Sequence, residues 1–167
     1  MGQGVVSSPC LQRANSMFLG EFEHSLDAKR RLAIPAEIRD SWNVTEHGEH
    51  LVAIPGSNGH LWIWPSRLFD SVMKAGSREF LRDPKLVRFE THVLSKTAKL
   101  QFDSAGRVRI PDQLLEAYGL RDKVTILGIY DHLEVVDSGQ WKSESVDPKS
   151  VGELYGAAFD ARRAERS

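Results

Sequence analysis

Five cations gather in two short, related segments of this chain. Lys29, Arg30 and Arg31 stand in Asp27-Ala-Lys-Arg-Arg-Leu-Ala-Ile-Pro35, and Arg107 and Arg109 stand in Asp103-Ser-Ala-Gly-Arg-Val-Arg-Ile-Pro111. Residues of this kind bind polyanions. A guanidinium is a planar fork that fits phosphate oxygens or the O6/N7 edge of guanine, whereas an ammonium acts as a point charge. Each segment also carries an aspartate, Asp27 or Asp103, for which a turn salt bridge with the following arginine is the simplest reading. A carboxylate beside phosphates would be repelled, so Asp27 and Asp103 are expected to build turns together with Gly106. For the arginines the balance tips toward nucleic acid. An exposed ion pair contributes only about 0–1 kcal/mol, which gives stability little reason to collect so many cations. Lys29, Arg30 and Arg109 are read as contacts to the DNA backbone rather than to bases.

Other groups carry less. His47-Gly-Glu-His50 has the spacing of a metal pair, but no cysteine or third histidine lies nearby in sequence, and a solvated loop is the better reading. His60 and His132 fall at matched positions of two hairpins, which points to a shared turn role. Trp62 and Trp64, with Ile63 between them, read as cover for an interface or for linker helices rather than as base-stacking platforms. Ser104 has no motif-paired base. No nucleophile elbow, phosphate-cradling glycine loop or zinc spacing occurs, so neither an enzyme, a cofactor, a metal nor a small-molecule substrate is expected.

The two basic segments belong to a duplication. Asp, Arg, Ile and Pro recur at an offset of 76 residues, with Leu32 answered by Val108. A second block recurs at an offset of 72: Val52, Ile54, Gly56, His60, Leu61 and Ser66 match Val124, Ile126, Gly128, His132, Leu133 and Ser138. The first copy therefore carries four more residues between the blocks. Such self-similarity dictates architecture before any residue is given a role.

Alternation in each copy predicts strands around a tight turn, with Leu100 and Phe102 on one face and Val108 and Ile110 on another. Arg107 and Arg109 then point the opposite way, toward solvent or ligand. Pro35 and Pro111 suit the first positions of short helices, and Gly119 suits a helix end. A hairpin follows in each copy, so each reads strand, turn, strand, helix, strand, turn, strand. The expected division is an unstructured leader at 1–16, a first module at 21–68, a helical linker at 69–96, a second module at 97–140, and a C-terminal helix and tail at 141–167. In the linker, Asp83-Pro84 starts a helix whose Leu86, Phe89 and Val93 share a stripe. The C-terminal helix carries Val151, Leu154, Tyr155 and Phe159, and its polar end at Arg162–Arg166 is expected to fray. Periodic structure begins at Met17-Phe18, which makes Met17 a candidate translation start.

Composition sets the outer limits. A chain of 167 residues with 41% hydrophobic and 27% charged residues is ordinary for a globular protein. A copy of roughly fifty residues has a marginal core alone, so the copies are expected to pack on each other or on further subunits. A single cysteine, Cys10, excludes an intrachain disulfide and fits a reducing cytosol. No apolar run reaches the roughly 18 residues of a membrane span. A net charge of −1 does not mark a nucleic-acid binder, so that role rests on the local patches.

Phe18-x-Gly20-Glu21, the Asp27–Arg31 box and the Asp103–Arg107 box, each box followed by apolar-x-apolar-Pro, closely resemble the MraZ family. That family is a branch of the AbrB/SpoVT-like swapped-hairpin proteins, and the resemblance runs from Met17 to about residue 160. It implies a fold that is mainly β with α: two tandem β-barrel modules packed as a pseudo-dimer, with linker and C-terminal helices. It also implies a cytoplasmic, nucleoid-associated transcriptional regulator of the division and cell-wall gene cluster. Such a regulator binds repeated promoter boxes in double-stranded DNA as a ring-shaped homo-oligomer, with Arg31 and Arg107 as the functional core of the boxes. An AbrB-like antitoxin and a purely structural ring protein are the alternatives. One departure stands out: Arg30 occupies the place of the family's Gly. If the turn needs positive φ there, a non-glycine residue costs roughly 1–2 kcal/mol, so the first turn either differs in shape or accepts the strain.

Overall fold

The computed structural model describes residues 17–75, 83–144 and 146–165. The leader expected at 1–16 lies outside them. The first copy contributes β1 (Phe18–Ser25), β2 (Arg31–Ala33), α1 (Ala36–Asp40), α2 (Val44–His47), β3 (His50–Pro55) and β4 (Leu61–Pro65). Helices α3 (Ser66–Ala75) and α4 (Pro84–Phe89), the latter running into a π turn at Glu90–Leu94, lead to the second copy. That copy forms β5 (Ala98–Gln101), β6 (Arg107–Arg109), α5 (Asp112–Ala117), β7 (Lys123–Tyr130) and β8 (His132–Asp137). Helices α6 (Ser138–Glu144) and α7 (Val151–Ala164) follow.

Local chemistry explains the short helices. Pro35 and Pro111 stand just before α1 and α5 with extended ψ, 142° and 140°, and a proline there forfeits no intrahelical bond. Helix α5 ends on Gly119 at φ +61°, where Leu120 N–H donates to Leu115 O and Gly119 N–H to Glu116 O. This is a Schellman closure, and glycine adopts the left-handed conformation it needs at little cost. The first copy has Asn43 at the matched position. The Asn43 side chain instead accepts the Thr45 N–H at 2.8 Å and starts α2, a helix of four residues. The change of offset between the repeated blocks thus corresponds to one added turn of helix.

This connector corrects an expectation. Read as a solvated loop, it instead buries His47 to 2% exposure. The imidazole packs against the rings of Phe18 and Trp42, at centroid distances of 5.1 and 4.9 Å, and its Nδ1 accepts the Asn43 N–H at 2.9 Å.

The strands form an antiparallel six-stranded sheet in the order β1-β7-β8-β4-β3-β5, and β2 pairs with β6 in a separate two-stranded ladder. The copies exchange strands: β1 of the first pairs with β7 of the second, and β5 of the second pairs with β3 of the first. At the centre of the sheet Trp62 faces Glu134, flanked by Leu61 opposite Val135 and Ile63 opposite Leu133. In the small ladder Leu32 faces Val108, flanked by Arg31 opposite Arg109 and Ala33 opposite Arg107. Residues matched in the duplication therefore meet at the middle of both ladders.

One core serves both copies. Phe18, Leu32, Ile34, Leu51, Leu61 and Ile63 from the first join Leu100, Val108, Ile110, Leu115, Val124, Ile126, Leu133 and Val135 from the second. Each such side chain contributes about 1.5–3 kcal/mol when fully buried, and half of this set would leave a core too small to close. The helices differ. Asp83 caps α4 as its Asp-Pro sequence predicts, accepting the Lys85 N–H at 2.7 Å, yet Leu86, Val87 and Phe89 stay exposed. On α7, Leu154, Tyr155 and Phe159 are likewise exposed. Helix α7 includes Arg162 and Arg163, where cations suit the negative end of its dipole, and Arg166 of the expected polar end lies outside the described residues.

Candidate nucleic-acid interface

The two basic segments come together on the ladder of β2 and β6. Leu32 and Val108 point into the core with no exposure, so the alternation of the strands turns Arg31, Arg107 and Arg109 to the other face. Each segment enters its strand through a turn of the same construction. Asp27 Oδ1 accepts the backbone N–H groups of Lys29 and Arg31, at 2.8 and 2.9 Å, and Oδ2 accepts Arg31 Nε at 2.7 Å. Asp103 Oδ1 accepts the N–H groups of Ala105 and Arg107, at 2.9 and 3.0 Å, and Oδ2 accepts Arg107 Nε at 2.9 Å. Both carboxyls are held below the usual aspartate range. The largest cause is the hydrogen bond from the backbone N–H of the following arginine, which outweighs the opposing effect of burial and is reinforced by that arginine's guanidinium.

The turns are also tied to each other. Arg31 Nη1 lies 3.4 Å from Asp103 Oδ2, and Arg107 Nη1 lies 3.7 Å from Asp27 Oδ2. Ile34 N–H donates to Gly106 O at 3.1 Å, and Ile110 N–H donates to Arg30 O at 3.3 Å. Arg31 and Arg107 are thus half-buried, with side chains 26% and 34% exposed, and both readings of their chemistry meet in one place. The carboxylates engage Nε and one Nη of each guanidinium, which carries five N–H donors in all. Lys29, Arg30 and Arg109 are exposed and form no ion pair among the described residues.

The departure at Arg30 resolves in favour of strain. Arg30 adopts φ +59° and Gly106 φ +73°, and both turns close with the same bond, Arg30 N–H to Asp27 O at 2.9 Å and Gly106 N–H to Asp103 O at 3.0 Å. The first turn keeps the shape of the second and places one more cation on its crest. A cavity of about 1080 Å³ opens beside that crest, where Arg121 adds a further cation to Lys29, Arg30, Arg31 and Arg109.

The remaining candidates are structural or lie elsewhere. His60 and His132 do not share a turn role. Both flank the buried Glu134: His60 Nδ1 is 2.6 Å from Glu134 Oε2 and its Nε2 is 3.0 Å from Glu144 Oε2. His132 Nδ1 is 2.7 Å from Asp131 Oδ1, and its Nε2 is 3.5 Å from Glu134 Oε1. Asn58 Nδ2 also donates to Glu134, at 2.8 Å. Trp64 stacks on His132 at 4.5 Å with nearly parallel rings, and Trp62 donates Nε1–H to Asn58. These tryptophans therefore cover the polar centre of the β4–β8 pair. Among the described residues, no histidine, cysteine and carboxylate group is arranged to hold a metal, and no helix is long and apolar enough to cross a membrane.

Residues 17–86 and 93–146 match the family model described as "MraZ protein, putative antitoxin-like". A protein of Caulobacter vibrioides named transcriptional regulator MraZ is 30% identical over 161 residues, covering 90% of this chain and 84% of that protein. Its namesake in Phenylobacterium zucineum is 34% identical over 140 residues, covering 77% of each chain. The one in Acetivibrio thermocellus is 32% identical over 138 residues, covering 82% of this chain and 92% of the relative. Both matched stretches contain one of the Asp–Arg turns and the strands that exchange with the other copy, and the chain belongs to the MraZ family.

Proposed function

We propose that the chain is a sequence-specific DNA-binding transcriptional regulator that engages double-stranded DNA through the turns at 27–31 and 103–107. The observation that carries this reading is the pair of equivalent turns side by side on one short two-stranded ladder, with Lys29, Arg30 and Arg109 exposed around it. The major groove, about 12 Å wide, admits a two-stranded β-ribbon. In this reading Asp27 and Asp103 hold the guanidinium planes of Arg31 and Arg107, whose remaining donors meet base edges or phosphates. Lys29, Arg30 and Arg109 contact phosphates and fix the register on the duplex.

The finer architecture belongs to the same proposal. The exchanged strands and the matched residues at the centre of both ladders support two barrel-type modules, 21–68 and 97–140, packed as an intrachain pseudo-dimer. The exposed apolar residues of α4 and α7 support assembly into a closed homo-oligomer, since unequal surfaces on one chain meet head to tail and close into rings. Neighbouring subunits then engage successive promoter boxes of the division and cell-wall gene cluster, and linked binding of this kind raises avidity by roughly 10²–10⁴.

The test is a mobility-shift titration on the chain's own upstream region and on a scrambled duplex, at several salt concentrations. Arg31→Ala and Arg107→Ala, first shown by light scattering to assemble as the parent does, should each lose discrimination worth about 1–3 kcal/mol for every base contact removed. Unchanged binding by both variants would assign the arginines to the turns alone. A parent protein that shifts neither duplex would overturn the DNA-binding reading itself.

A further inference from the structure

The second turn is completed by a residue of the first copy. A Cβ built on Gly106 would lie 2.6 Å from both Cδ and Nη1 of Arg39 and 2.9 Å from its Cζ, so the Arg39 side chain lies directly against the crest of that turn. Arg39 Nε donates to Ile34 O at 3.1 Å, and Ile34 N–H in turn donates to Gly106 O at 3.1 Å. The side chain is thus hydrogen-bonded to the β2 side of the ladder and packed against the β6 side at Gly106. Arg39 forms no ion pair among the described residues and is itself exposed.

The duplication shows what this arrangement replaces. At the offset of 76, Arg39 corresponds to Leu115, which is buried in the core, and Gly106 corresponds to Arg30, which stands on its own crest. Each crest therefore carries one arginine by a different route. The first turn supplies it from the backbone of the crest, at the cost of a positive φ. The second keeps a bare glycine and receives its arginine from helix α1 of the other copy. A side chain at 106 would displace the Arg39 guanidinium, and the left-handed φ there suits glycine.

We infer that Arg39 is an additional DNA-contacting residue, the second turn's counterpart of Arg30. This rests on the DNA-binding reading above and deepens it, since it extends the cationic face onto α1 and makes the two turns chemically unequal. Arg39 contacts a phosphate flanking the site of the second turn, as Arg30 does at the first.

The experiment measures binding to the chain's own upstream duplex as a function of salt. It uses the parent, Arg39→Gln, and the exchange variant Arg39→Ala/Gly106→Arg. Glutamine keeps a donor for Ile34 O and removes the charge. The exchange variant rebuilds the first turn's arrangement in the second, at a φ close to the one Arg30 already tolerates. Thermal unfolding and light scattering establish that all three fold and assemble alike. Arg39→Gln should lower the slope of log K against log salt by about one for each engaged copy, and lower affinity at physiological salt by roughly fivefold per lost contact. The exchange variant should restore both. An unchanged salt slope for Arg39→Gln overturns the inference even if affinity falls, because a purely structural role leaves the count of phosphate contacts intact. Failure of the exchange variant to restore the slope overturns the equivalence with Arg30. If Arg39→Gln does not fold, Arg39→Met supplies a second neutral variant with an unbranched side chain, and the same lowered slope is expected of it. A parent without affinity for DNA identifies a failure of the broader reading instead.

Discussion

The turns at 27–31 and 103–107 agree bond for bond although three of their five residues differ, and the sharpest contrast lies at the crest. Their aspartates accept the same two backbone N–H groups and the same guanidinium nitrogen, and the corresponding distances differ by at most 0.2 Å. One crest is an arginine at φ +59° and the other a glycine at φ +73°. The backbone shape is therefore set by the carboxylate, which satisfies the turn's amides whatever residue follows. The choice of crest residue is decided by what lies beside it. Next to Gly106 is a guanidinium from α1, whereas next to Arg30 is an open cavity. A second inequality of the same kind sits at the centre of the sheet, where the matched positions 62 and 134 face each other as Trp and Glu.

The largest effect is expected at Glu134. Its carboxylate accepts from His60 and Asn58 in a buried setting and lies 3.5 Å from His132 Nε2, so Glu134→Ala leaves two donors without their acceptor. Each buried donor left unpaired costs about 1–3 kcal/mol, and urea unfolding should show the combined loss at two such donors. The matched substitution Trp62→Ala removes a half-buried ring and should cost less. A loss at Glu134 no greater than at Trp62 would mean that the two sides of the seam are energetically alike.

The crests provide a smaller and sharper test. Gly106→Ala forces a Cβ into the left-handed conformation, at roughly 1–2 kcal/mol, and also pushes Arg39 from its seat. Arg30→Gly relieves the same strain but loosens the unfolded chain, so a net gain of about 0.5–1 kcal/mol is expected. Opposite signs from denaturant unfolding support the account of the two crests, and equal signs would refute it.

The smallest effect distinguishes the copies by pH. Burial depresses the pKa of His47, which has no counterpart in the second copy, and acts on His50 in the same direction. A depressed folded value means that the unfolded chain takes up the proton first. Stability should therefore fall as pH drops below about 6.5, the ordinary histidine value, and level off below the folded value. Asp27 and Asp103 act lower. Their depressed folded values add stability that is complete above about 3.9 and is lost as pH falls further. In melting curves His47→Gln should remove part of the upper step and leave the lower one. A profile without the upper step in the parent would show that His47 titrates alike in both states.

Much of this was readable in the chain. The Asp-x-x-x-Arg turns, the proline-started helices and the glycine that ends α5 depend on groups a few residues apart, and such chemistry leaves local marks. The paired strands left a weaker mark. Alternation at Leu100 and Val108 says which face is buried, but not which of several similar strands a given one will join. Arg39 left none, because its partner is a glycine 67 residues away and its repeat counterpart is a leucine. His47 reads as part of a polar loop until Phe18 arrives from β1 to cover it.

By itself the sequence determined that one unit is used twice, that each unit carries an aspartate-organised turn with cations on its strand, and that the chain resembles the MraZ family. These follow from repetition and from contacts within a single turn, where residue type and spacing suffice. Only the tertiary structure decided that the units exchange strands and share one core, that Arg31 and Arg107 bridge both aspartates, and that Arg39 lies on the opposite copy's turn. Those outcomes depend on which distant surfaces meet, and a copy too small to close its own core must settle that through packing against the other.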